Sequence, residues 1–144
     1  MKIIILYFTL VITIFGAKLT DGYYSVIENT VRGKKWKTKV ELKIKNNEII
    51  WIDVDMITKD GKLRSQDEKE MEIILKDTYG IDPYIKLPQK YLEKIEETDD
   101  YKVFKVDTIA GATVISNKFN KMVMFLMKKS EEGKPGKFKG WFHW

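Results

Sequence analysis

Thr113 closes the stretch Val106-Asp107-Thr108-Ile109-Ala110-Gly111-Ala112-Thr113-Val114-Ile115-Ser116, and these residue types in this order suit the seating of an anion, above all a phosphate. Gly111 can take φ > 0 and, lacking a Cβ, admits a ligand close to the backbone, while Ala112 adds almost no bulk beside it. The Thr113 hydroxyl is then presented at the turn. A helix that begins just after, with Ser116 or Thr113 as its cap, points free N–H groups and the positive end of its dipole at the same spot. A plain strand-to-helix turn with a capping threonine is built from the same residues.

Other chemistries find little to work with. Cysteine is absent, which removes disulfides, thiolate catalysis, Cys-based zinc or iron–sulfur sites and a lipid-anchor thiol together. His143 is the only histidine and lies one residue from the end, so it supports neither a Ser-His-Asp arrangement nor a multi-histidine metal site. Asp53 and Asp55 share a strand face and read as a solvated edge. The run Glu93, Glu96, Glu97, Asp99 and Asp100 lacks the alternate ligands and central glycine of a calcium loop. No Gly-rich dinucleotide motif and no internal repeat is visible.

The run Asp107-x-x-x-Gly111-Ala112-Thr113 resembles the flavinylation motif of the FMN-binding domain family, which includes the flavin-carrying subunits of the sodium-pumping quinone reductase and the Rnf complex together with small secreted or lipid-anchored relatives. That motif reads Asp, two variable residues, Ser or Thr, Gly, Ala, then the Thr or Ser esterified to the FMN phosphate. By position the resemblance implies Thr113 as acceptor, with Gly111, Ala112, Asp107, Ala110 and Ser116 around the cofactor. Ala110 stands where the motif usually has Ser or Thr. Asp21-Gly22-Tyr23-Tyr24 and Asp60-Gly61-Lys62 with Ser65 extend the resemblance over about residues 21–129. It implies an FMN cofactor, an electron carrier in place of a turnover enzyme, and a separate flavin transferase, since a threonine hydroxyl is a poor nucleophile without an adjacent base and no His or Cys is at hand. Asp107 would belong to the signal that the transferase reads, or would hydrogen-bond the turn's own amides. For the flavin ring, Trp36, Trp51, Tyr84 and Tyr91 are candidate walls, and the sequence does not choose among them. The redox partner is unidentified, and a membrane-bound one suits the ends of the chain. A flavin-free surface or immunogenic interaction domain of the same fold, and a reversible binder of FMN or another anionic small molecule, are the alternatives.

The elements that must position these residues follow from periodicity. Met1-Lys2 and the apolar run Ile3 to Ala17 have the charged start and short hydrophobic core of a secretory signal; an uncleaved anchor is the other reading of residues 1–17. Export to a periplasmic, cell-surface or membrane-anchored location follows from either. Tyr23 to Asn29 reads as a strand; Trp36 to Lys45 alternates apolar and charged residues as a second, and Glu48 to Ile57 returns after an Asn46-Asn47 turn as a third. Ser65 with Glu68 forms a capping-box pattern ahead of a helix that Gly80 ends. Pro83 and Pro88 bracket an irregular segment before a helix over Gln89 to Glu97; Tyr101 to Val106 reads as a strand, and Ser116 to Lys129 as the closing helix. The tail over 130–144 interleaves Lys134, Lys137 and Lys139 with Phe138, Trp141, Phe142 and Trp144, which suits a membrane interface, a partner groove or a disordered end.

Composition agrees with one domain: 144 residues at 44% hydrophobic content can bury a core. The 26 basic residues are offset by 21 acidic ones spread along the chain, so the net charge of +5 describes a slightly basic surface and not a nucleic-acid partner. The element order argues for an α+β fold in which helices cover an antiparallel sheet, as a single FMN-binding domain over residues 21–129.

Overall fold

A computed structural model describes residues 18–30, 32–97 and 105–143; the N-terminal apolar run over 1–17, most of the expected strand over 101–106, and Trp144 lie outside them. Four strands form one sheet: β1 (Gly22–Glu28), β2 (Lys37–Lys45), β3 (Glu48–Ile57) and β4 (Gly136–Gly140), in the order β3-β2-β1-β4. The alternation seen in the sequence sets the faces. In β2, Thr38, Val40, Leu42 and Ile44 are buried between charged neighbours. Asn46 and Asn47 take φ of 52° and 62°, the left-handed pair that a tight hairpin requires, and β2 and β3 pair antiparallel from Lys37↔Ile57 to Lys45↔Glu48.

Three helices supply the second layer: α1 (Glu68–Asp77), α2 (Pro83–Glu97) and α3 (Thr113–Glu131). Val26, Val40, Leu42 and Val54 from the sheet pack with Leu87 and Tyr91 of α2 and Phe119, Met122 and Leu126 of α3. Burying each of these larger side chains contributes about 1.5–3 kcal/mol. The fold is therefore α+β with a mostly antiparallel open sheet.

Four elements differ from the sequence reading. Residues 136–140, expected in a free tail, form β4, which pairs parallel with β1 from Tyr24↔Gly136 to Glu28↔Gly140, and Phe138 and Phe142 meet the edges of Phe125 on α3. The segment around Pro83 and Pro88 is helical: Asp82 accepts the Tyr84 N–H at 2.9 Å and Pro83 fills the first position, where its missing N–H costs nothing. Pro88 is carried inside α2, buried. The start of α1 is capped by Asp67, whose carboxylate accepts the Glu70 N–H, and not by Ser65, which belongs to a 3₁₀ turn over Arg64–Gln66. Lys105 and Val106 are not in a strand.

The inward face of β1 carries a charge. Glu28 is 3% exposed; its carboxylate accepts from the Thr38 N–H and hydroxyl at 2.9 and 3.0 Å and pairs with Lys118 of α3 at 2.5 Å. The pair ties α3 to the sheet, and removing one partner strands the other. Lys118→Met is expected to lower stability by about 3–5 kcal/mol, with Glu28→Gln combined with Lys118→Met less damaging than the single change; denaturant unfolding of the native protein and the two variants checks this.

Gly111 fixes the other end of α3. Its φ is +81°, and a Cβ added there would overlap the Asp77 carbonyl oxygen at the end of α1. The space expected for a ligand is thus taken by another helix's backbone. Gly111→Val should cost at least about 1–3 kcal/mol of folding stability from backbone conformation alone. A thermal melt unchanged from the native protein's would contradict this packing.

Candidate functional site

The start of α3 is open. Its N-cap, Ala112, has no side chain able to cap, so the first-turn N–H groups of this 19-residue helix receive no side-chain acceptor from that position. Thr113, the first residue of the helix, is exposed, as are Asp107, Thr108 and Ala110. Neither Thr113 nor Ser116 is the cap. Ser116 is fully buried: its hydroxyl accepts the Ile109 N–H at 3.1 Å and donates to the Ala112 carbonyl at 2.8 Å. With the Ala112 N–H bonded to the Ile109 carbonyl, Ser116 shapes the turn from beneath while Thr113 faces outward from it. Those turn amides are taken without Asp107. Asn120 holds Val106 at both its N–H and its carbonyl, which fixes the approach to the motif.

Gly111, Ala112 and Thr113 line a cleft of about 380 Å³, together with Ile73, Ile74 and Asp77 of α1, Pro83 and Tyr84 of α2, and Met56 and Arg64. The walls are mainly apolar, and of their residues Ile73 and Val114 are exposed. Of the four aromatic residues proposed as ring walls, Tyr84 is the one that lines this cleft. Tyr91 is buried edge-on against Phe119, while Trp36 stacks beneath Lys35 and Trp51 beneath Lys43. Burial pushes the Tyr84 phenol up to about 12, with the Arg64 guanidinium beside it pulling the other way.

Arg64 is the residue that sequence reasoning missed, and Asp55 is the reason it is where it is. Expected at a solvated edge, Asp55 is 5% exposed. Its carboxylate accepts from the Met56 N–H at 2.7 Å, from the Ser65 N–H at 3.2 Å and from the Ser65 hydroxyl. These bonds clamp the 3₁₀ turn to β3 and deliver Arg64 to the cleft. The neighbouring Asp53 is pushed up by its own burial and by the Asp55 carboxylate. A signal existed in the sequence: a Ser beside an Arg after the Asp60-Gly61 turn, opposite an Asp on the preceding strand. Among the described residues no group of three or more His, Cys, Asp or Glu is arranged for a metal.

The fold is similar to that of the CPE2226 protein from Clostridium perfringens, known from a crystal structure, at a TM-score of 0.72 and 24% identity over 87% of this chain and 99% of that one. A solution NMR structure of a Clostridium thermocellum protein aligns at a TM-score of 0.46 and 22% identity over 77% of this chain and 92% of that one. At 24% identity the likeness to the CPE2226 protein concerns the fold alone. No curated protein matches the chain. The FMN-binding domain family matches residues 33–128, which run from β2 into the last turns of α3 and take in Arg64, Tyr84 and the Gly111 to Thr113 turn. The chain belongs to the FMN-binding domain family, and FMN is its cofactor.

Proposed function

We propose that this is an exported electron-carrier domain whose FMN phosphate is esterified to the Thr113 hydroxyl. The observation that carries the reading is the exposed Thr113 at the uncapped start of α3, inside a cleft with apolar walls. The residues fit the cofactor. First-turn N–H groups and the helix dipole favour a phosphate, and Ile73, Ile74, Pro83 and Tyr84 offer flat apolar surface for a ring. FMN supplies reversible electron transfer when bound. The chain's own part is to seat, orient and partly shield it.

Formation of the ester joins Thr113 Oγ1 to the phosphorus of an activated FMN donor, a phosphoanhydride, as its P–O–P bond breaks and the other half leaves as a phosphate monoester, and the hydroxyl proton passes through a base to that leaving group. Among the described residues that line the cleft there is no histidine or cysteine to activate the hydroxyl, which supports a flavin transferase as the agent of attachment. Exposed Asp107 and Ala110 are available for such an enzyme to read. The apolar run Ile3 to Ala17 behind Lys2 supports export. Among the described residues no helix is long and apolar enough to cross a membrane. Ala110, in place of the usual hydroxyl residue, favours the reversible binder as the second reading.

A phosphoester survives denaturation, whereas a ligand held by hydrogen bonds and stacking leaves with the fold. Protein exported from a host with a competent transferase is expected to show flavin fluorescence at its own band on a denaturing gel. Thr113→Ala should abolish the band. Ala110→Ser should strengthen it if native loading is incomplete. Ser116→Ala should keep the band while costing about 1–3 kcal/mol, because the buried Ile109 N–H loses its acceptor. A band that persists in Thr113→Ala would move the acceptor elsewhere, and no band in the native protein would leave the reversible or flavin-free readings.

A further inference from the structure

Among the described residues that line the cleft, Arg64 is the only cationic one. Its guanidinium is grouped with the apolar wall: Nη1 is 3.2 Å from Met56 Sδ, and the Tyr84 hydroxyl lies beside it. Nη2 is 3.1 Å from Glu70 Oε2, but that carboxylate is shared with Lys35 at 3.7 Å, so Glu70 does not cancel the two charges. Asp55, the carboxylate on β3, is occupied by Ser65 and the Met56 N–H. Asp77, which also lines the cleft, is exposed to solvent. Arg64 Nε is buried with no hydrogen-bond partner. The side chain is 22% exposed, so the guanidinium works in a partly desolvated setting where its charge is poorly screened.

In that reading the phosphate sits at the start of α3, whereas Arg64 is in contact with Met56 and Tyr84 of the lining. We propose that Arg64 faces the ring of the bound flavin and favours its reduced, anionic form, so that this one residue sets the flavin's potential. The inference rests on FMN occupying this cleft. Two electrons and one proton convert the oxidised ring to an anion with its charge on the pyrimidine half; a nearby cation stabilises that product over the neutral oxidised ring. In the experiment below, dithionite supplies the electrons and the buffer supplies the proton.

The test is a spectroscopic redox titration of the FMN-loaded full chain against a reference dye, for the native protein, Arg64→Gln and Lys69→Gln. Lys69 is an exposed residue of α1, and its substitution changes the net charge equally. Arg64→Gln should retain flavin and lose at least tenfold of the preference for the reduced form, a fall of about 30 mV for a two-electron couple. Lys69→Gln should leave the potential unchanged. An unaltered potential in flavin-loaded Arg64→Gln would overturn the inference, as would loss of flavin with no change of potential in the fraction that remains bound. The native protein alone gives a second test: above about pH 5 its potential should fall by about 30 mV for each tenfold decrease in proton activity, one proton for two electrons. Twice that slope near pH 5 would show a neutral reduced ring and overturn the proposal. If Thr113 is not esterified, the titration runs on reversibly held FMN and still decides; a native chain that binds no FMN removes the reading beneath it before any potential is measured.

Discussion

The contact on which the cleft depends is the approach of Gly111 to the Asp77 carbonyl. Two backbone segments meet there with no side chain between them, and the left-handed φ of Gly111 turns the chain directly into α3. That contact docks the end of α1 beside the start of α3, so that Ile73, Ile74 and Asp77 line one cleft together with Ala112 and Thr113. Any Cβ at position 111 would push the two helices apart, and with them the walls that a flat ligand needs. In this cleft the glycine acts through helix docking.

Buried polar residues hold the other sides of the site. Asp55, facing away from the sheet's apolar layer, binds Ser65 and thereby places Arg64; Ser116, beneath the motif turn, binds Ile109 and Ala112 and leaves Thr113 outward. Glu28 and Lys118 fasten α3 to β1 below. Each is a satisfied buried group, costly to leave half-paired and so effective at fixing one geometry. The consequence is electrostatic. A helix N-terminus and a guanidinium, both favouring negative charge, line one cleft whose remaining walls are mostly apolar.

Strong periodicity made much of this legible. The β2–β3 hairpin was readable from its alternation and from Asn46-Asn47, and α3 from Phe119, Met122, Val123 and Leu126 at helical spacing. What escaped depends on partners distant in sequence. β4 has one apolar residue between two lysines and two glycines; it is a strand because β1 offers an edge and Phe125 a surface, neither of which local pattern reveals. Asp55 looked solvated because nothing nearby says that Ser65 folds back over it. For α2, Pro83 read as a breaker, although Asp82-Pro83 is a helix start when taken together. The motif turn was located by residue type, yet its cap was misjudged: Ser116 is committed below the turn, and the open helix start it leaves is what an anion would use.

Peptide mapping of the native exported protein by mass spectrometry tests the central claim most directly. The account predicts that the peptide containing Thr113 carries the mass of one FMN less one water, with fragmentation placing it on Thr113 and on no other hydroxyl. An unmodified Thr113 peptide from protein that was yellow before digestion would contradict it.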